Sequence, residues 1–234
     1  MRRRPAAPVA APVPFDPAAA RYAREALGLS PAMVARAMAA HGVHPAPPQV
    51  IAWESGQLLP SETELTALAR ALWCLPGRLM GGRARSVRDH RLALDLPAEE
   101  TARRLGLTPR VYAQLENEPR WTGDEDLTYL LAEVLRLGPY ALVVATGRNE
   151  ALQEALQRAV HGRWQPQARA VARLAPTLER AAIEHALRTL SSEGQASTAL
   201  WGGDRQQDEE PPPGPEDLER RFWQLLGPAA DAVV

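Results

Sequence analysis

The chain has 234 residues, 45% of them hydrophobic and 24% charged, with a formal net charge of −1. That length suits one or two small domains, and a single cysteine, Cys74, excludes a disulfide framework or a cysteine-based zinc module and points to a reducing, intracellular setting. All 27 basic residues are Arg, and Ile and Asn occur twice each; the skew matches GC-rich coding bias, so Arg abundance by itself is not read as function.

Residues 1–15 carry three Arg and no acid. The Arg triplet imitates a secretion signal, but the segment after it is broken by Pro and has no Leu-type core. A disordered basic arm is expected. No apolar run approaches the roughly 20 residues that span a bilayer, so no membrane partner is expected.

From Pro17 to Leu190, apolar residues recur at spacings of three and four, which predicts an all-α chain. Residues 16–80 form a first domain of five short helical elements. The first covers about 17–27. Ser30-Pro31 pairs an N-cap with Pro at the first helical position and starts the second. The third ends at Glu54-Ser55, stopped by Gly56. Ser61 to Glu64 is a capping box that opens a fourth helix through Trp73, and Pro76 to Met80 makes a last turn.

Residues 84–147 repeat the plan. Helices are expected at about 86–94, from Pro97 to near Leu105, from Thr108-Pro109, and from a second capping box at Thr122 to Glu125 as far as Arg136. An offset of 63 aligns Leu68 with Leu131, Ala69 with Ala132, Leu72 with Leu135 and Pro76 with Pro139. The two segments therefore look like an internal duplication.

Beyond Gly147, amphipathic helices are expected at 149–164 and 177–190, within a 148–190 region assigned to dimerisation or partner binding. Residues 191–214 look like an acidic linker. A short helix with Leu218, Phe222 and Leu225 on one stripe follows within 215–228, and at about 12 residues it needs something to dock against. Local charge is more telling than the total: residues 81–120 hold eight Arg against six acids, and 148–234 hold ten against thirteen. A polyanion-binding surface is therefore expected in the arm and in 81–120.

The residues Val87, Arg91, Leu96, Ala102, Gly106, Thr108 and the run "QLEN" at 114–117 resemble the lambdoid repressor and Cro-like (XRE) family of helix-turn-helix DNA-binding domains. The first repeat resembles it through "IAWESG" at 51–56 and Pro60-Ser61. The resemblance implies two tandem five-helix repressor-like domains followed by C-terminal helices. It also implies a structural ion pair between the first helix and the end of the third: Arg91 with Glu116, and Arg24 with Glu54. A planar guanidinium holds a carboxylate by two parallel hydrogen bonds. Removing one partner of a fully buried pair costs roughly 3–5 kcal/mol.

The base-facing role falls by resemblance on Pro109, Arg110, Ala113 and Gln114. Arg can bind guanine and Gln adenine in a bidentate fashion. Thr108, Asn117 and Arg120 are placed for phosphates. The matching positions of the first repeat, Pro47, Pro48, Ile51 and Ala52, offer no hydrogen-bond donor. Its turn is also longer, with eighteen positions from Arg36 to Glu54 against thirteen from Arg103 to Glu116. His41 and His44 lie in that turn without a nearby carboxylate or thiol to complete a metal set, and no phosphate-binding Gly loop, nucleophile elbow or metalloprotease signature is present. No cofactor, no metal and no enzymatic activity are expected. The expectation is a cytoplasmic, nucleoid-associated regulator that binds double-stranded DNA as a homodimer through the second repeat, with the Arg2–Arg4 arm as an accessory. The alternative is a protein-interaction adaptor or antitoxin that reuses the fold and binds DNA weakly.

Overall fold

The computed structural model describes residues 12–200 and 214–232, and among these it is all-helical. In chain order the helices are α1 (Pro17–Ala26), α2 (Pro31–Ala39), α3 (Pro47–Glu54), α4 (Glu62–Ala71), α5 (Val87–Ala93), α6 (Ala98–Arg104), α7 (Pro109–Asn117), α8 (Glu125–Leu135), α9 (Pro139–Ala145), α10 (Asn149–His161), α11 (Trp164–Leu174), α12 (Arg180–Leu200) and α13 (Pro215–Leu226). Short 3-10 turns follow at Pro76–Leu79 and Gly227–Ala230. The chain divides into two compact units: one from residues up to Ala84 with Arg88–Pro97, the other from Arg85–Val87 with Ala98 onward.

The first unit starts where its caps direct it. The Asp16 carboxylate accepts from the backbone N–H groups of Ala18 and Ala19, Ser30 caps α2, and Ser61 and Glu64 form the expected reciprocal capping box. Pro occupies the first turn of α1, α2 and α3, where its missing N–H is not needed. Val34, Met38, Val50, Trp53, Leu65, Leu68, Leu79 and Met80 fill the core. At about 1.5–3 kcal/mol per buried large side chain, this layer is the main stabilising term.

Two sequence expectations change here. Val13 and Phe15, assigned to a disordered arm, are buried in this core. The Asp16 N–H also donates to Leu79 O at 2.7 Å, and Arg83 reaches Phe15 O. Apolar side chains at alternate positions, one backbone–backbone bond and one bond from the Arg83 side chain tie the end of the arm down; residues 1–11, Arg2–Arg4 included, lie outside the described residues. Residues 88–97, expected to open the second domain, cluster with the first. Leu92 joins its core, Arg88 and Arg91 both bond Glu62 in the first turn of α4, and Arg70 pairs with Asp95.

Backbone stops recur along the chain. Arg24 Nη1 donates to Leu29 O and Arg91 Nη1 donates to Leu96 O, each at 2.9 Å and each five residues on. Gly28 and Asp95, the next residue back in each case, both take positive φ, 65° and 55°. These landmarks share an offset of 67. Trp73 and Arg136 end α4 and α8 in the left-handed region, φ 54° and 53°, at an offset of 63. Most of the change falls in the turn between, since the seven residues 40–46 separate α2 from α3 while the four residues 105–108 separate α6 from α7.

In the second unit, α6 and α7 pack together. Tyr112, Trp121, Leu131, Leu135 and Leu142 are buried. The Trp121 indole N–H donates to Thr128 Oγ1 at 3.1 Å. The cap of α8 is Asp124, whose carboxylate accepts from the Leu127 N–H, so the expected capping box at Thr122 is not formed. Gly123 is instead where a Cβ would strike the Trp121 ring.

Helices α10 to α13 form one cluster, in which α10 touches the other three. Leu152, Leu156, Val171, Ile183, Leu187 and Phe222 are fully buried. The helix expected over 149–164 is α10, which Gly162 stops after His161; α11, which was not expected, begins at Trp164 and carries Pro166 in its first turn, where Pro is tolerated. α12 does not stop at Leu190 but runs to Leu200, through half of the expected linker. Gly194, which suggests flexibility in sequence, lies where a Cβ would collide with Val160 of α10, so its lack of a side chain permits close helix contact. The remainder, 201–213, lies outside the described residues. The α13 helix docks inside the chain, onto α10 and α12: of the expected stripe Leu218 and Phe222 are buried and Leu225 is half-buried, while Leu226, not expected, is buried with them. Arg148 is half-buried and joins layers: its guanidinium donates to Arg173 O, Gly123 O and Thr128 Oγ1. With no carboxylate among those partners, burial lowers its pKa below the usual arginine value.

Among the described residues, no single helix is long and apolar enough to cross a membrane.

Candidate nucleic-acid interface

α7 is a nine-residue helix, PRVYAQLEN, with one side built inward and one outward. Thr108 is its N-cap; the hydroxyl accepts from the Val111 N–H at 3.3 Å. Gly106 takes φ 67° and turns the chain out of α6, a conformation that Gly adopts without a Cβ penalty. Tyr112 is fully buried, and its hydroxyl donates to Glu116 Oε1 at 2.7 Å. Helical periodicity then sends Pro109, Arg110, Ala113, Gln114 and Asn117 to the opposite side, and all five are exposed.

The exposed cations near this face differ in how they are held. Arg104 Nε and Arg103 Nε each donate to the Glu100 carboxylate at 2.9 Å. The hydrogen bonds from Arg103 and then Arg104 hold the Glu100 carboxyl below the usual carboxylate range. Arg120 pairs with Glu150. Both of those side chains are exposed, 67% and 76%. Surface pairs of that kind contribute about 0–1 kcal/mol, so a phosphate can exchange for the carboxylate. Asn117 Nδ2 donates to Ala113 O at 2.6 Å, which occupies one of its donors within the helix. Arg110 and Gln114 form no hydrogen bond or ion pair among the described residues, and both are exposed. On the exposed side of α7, Arg110 and Gln114 are suited to base edges, and their donors have no partner among the described residues.

The matching helix in the first unit, α3, has a different surface. Pro47, Pro48 and Ile51 are exposed, Ile51 at 54%, while Ala52 is half-buried. Leu58 and Leu59 just beyond it are also exposed. Gln49, its one polar residue ahead of Glu54, is half-buried and donates to Glu64 Oε1 at 2.9 Å. α3 has no side-chain N-cap, because Ala46 stands there. His41 and His44 are exposed in the turn before it, and no cluster of three metal-ligating side chains occurs among the described residues.

Arg24 Nε and Nη2 donate to the two oxygens of Glu54 at 2.7 and 2.8 Å, a bidentate pair with side chains 12% and 9% exposed. The Glu54 hydrogen bond raises the Arg24 pKa above its ordinary value. The pair joins α1 to the end of α3. Arg91 is buried and donates to Leu96 O and Glu62 Oε1. Glu116 is half-buried and accepts from Tyr112. The members of this expected second pair belong to different compact units.

The sequence marks Glu64 only as part of a capping box, and it does not mark Glu64, Glu62 or Glu150 as partners of Gln49, of Arg88 and Arg91, or of Arg120. Each lies at least fifteen residues from the side chain it holds, beyond the reach of helical periodicity. Glu100 was accessible, since Arg103 and Arg104 follow it at the i+3 and i+4 spacings that meet on a helix. No protein-family model, curated protein or solved structure matches the chain.

Proposed function

We propose that the chain is a sequence-specific DNA-binding transcriptional regulator of the repressor-like, XRE type, with tandem helix-turn-helix domains and α7 as its principal reader. One observation carries the reading: on the exposed side of α7, Arg110 and Gln114 stand one turn apart with their donors uncommitted. An α-helix fits the major groove, and these two side chains suit guanine and adenine edges respectively. Thr108, Asn117 and Arg120 flank them and would meet phosphates, which set register without reading sequence. The short α6–α7 turn, closed by Gly106 and capped by Thr108, supports the assignment. The recurring backbone stops support a duplicated ancestor. Two base-reading side chains per chain specify little, so binding as a homodimer on paired half-sites is part of the proposal. With the α13 stripe used inside the chain, the dimer contact would lie elsewhere. The setting proposed is cytoplasmic and nucleoid-associated.

The test is equilibrium binding of the full chain to duplex DNA across a range of salt concentrations. The regulator predicts that log affinity falls linearly with log salt, together with a preference for some sequences at every salt. A second reading, a protein-interaction adaptor or antitoxin, is favoured by the exposed apolar set Pro47, Pro48, Ile51, Leu58 and Leu59. It predicts salt-sensitive but sequence-indifferent DNA binding, or none.

A further inference from the structure

The second unit contains a cleft of about 650 Å³ between α9, α10, α13 and the final turn. Its volume falls in the range of small-molecule sites, roughly 300–1,000 Å³. We propose that this cleft binds an organic cation through an alkylammonium group. The inference does not depend on the DNA-binding reading.

Three features favour a cation. Glu219, only 9% exposed, lines the cleft and receives hydrogen bonds from Asn149 Nδ2 at 3.0 Å, Gln153 Nε2 at 2.7 Å and the Trp223 indole at 3.4 Å. All three donors are neutral, and Glu219 forms no ion pair among the described residues. The donors fix the carboxylate in place and leave its charge uncompensated. A carboxylate offers about four lone-pair positions, so an ammonium N–H still has one to use.

The second feature is aromatic. Tyr140 and Trp223 both line the cleft, with ring centroids 5.4 Å apart and planes at 83°. Two perpendicular rings form a corner, and the electron-rich face of such rings attracts ammonium groups. Tyr140 is 40% exposed, so one wall is open to a ligand.

The third is the balance of charge around the opening. Glu216 and Asp231 line it with Glu219, against a single Arg220 that is already paired with Asp217. An anion would meet net negative charge here, and a neutral ligand would leave the Glu219 charge unused. The chain contains no Lys, so a second copy of itself cannot supply a lysine side chain. The source is either a small amine or a lysine of another protein.

The experiment is NMR titration of the full chain, reading the Trp223 indole N–H. The probes are diaminobutane, tetramethylammonium and N-acetyl-lysine methylamide, with a neutral alcohol of similar length and sodium chloride as controls. Saturable shifts are expected with the ammonium probes and not with the controls. Glu219→Gln removes the charge and keeps one oxygen to accept from Asn149 and the indole, while the Gln153 amide can turn its oxygen to the new NH2; Tyr140→Leu removes the open wall. Each variant is expected to melt within a few degrees of the parent and to bind at least about tenfold more weakly. Tighter binding of diaminobutane would identify a free amine as the source, and tighter binding of the lysine amide a partner protein. Absence of saturable shifts with every ammonium probe would overturn the proposal, as would unchanged binding by a folded Glu219→Gln chain.

Discussion

α3 and α7 fall at matching places in the two segments that align in sequence, and the backbone stops around them agree while their surfaces do not. Each follows a helix whose preceding neighbour ends with an Arg bonded to a carbonyl five residues on. Beyond each, the next helix stops at a left-handed non-Gly residue. Yet α7 presents Arg110 and Gln114 with uncommitted donors, and α3 presents Pro47, Pro48 and Ile51 with its Gln49 tied to Glu64. A fold is kept by buried groups and backbone stops, whereas function depends on a few exposed side chains that can change without disturbing it.

The largest effect expected concerns the frame. Arg24→Met should cost about 2–4 kcal/mol, because it strands Glu54, whose side chain is 9% exposed, without its bidentate partner. Thermal or urea unfolding checks this, and an unchanged midpoint would mean that the α1–α3 link is not structural. Next comes the proposed reading surface. Arg110→Ala and Gln114→Ala should each weaken binding to a preferred site by about 1–3 kcal/mol and relax preference at one base pair, with no loss of stability, since neither side chain has a partner to strand. Competition binding against scrambled duplex measures it.

In the first repeat, Gln49→Ala should lower stability by about 1 kcal/mol through loss of the Glu64 hydrogen bond. It should leave sequence preference unchanged; a change in preference would break the contrast between the two helices. The smallest effect expected is from Arg120→Ala. It should reduce affinity by under about 1 kcal/mol for all sequences alike and lower the slope of log affinity against log salt by about 1. A sequence-dependent loss would make Arg120 a reader instead of a phosphate contact.

Much of the fold was legible because local rules decided it. Ser30-Pro31, Ser61 to Glu64 and Thr108-Pro109 start helices where caps and Pro placement require, and the stripe on α13 announced a buried face. What escaped was set by distant packing. Pro166 and the Ala-rich run after it concealed α11, whose burial comes from α10 and α12. Ser191 to Ser197 resembles a linker, but Ser191 is buried and Glu193 pairs with Arg221, so the helix continues. Val13 and Phe15 were hidden among Pro and Ala, and only the core of the first unit explains them. In the candidate interface, helical period alone showed that Arg110 and Gln114 share a face. That Gln49 and Arg120 are engaged depends on Glu64 and Glu150, fifteen and thirty residues away.

The most direct measurement is selection of bound sequences from a randomised duplex pool by the full chain, run beside Arg110→Ala and Gln49→Ala. The account predicts one motif recovered by the parent and by Gln49→Ala, and the same motif with a guanine position lost for Arg110→Ala. No motif from the parent, or a motif altered by Gln49→Ala and untouched by Arg110→Ala, would contradict it.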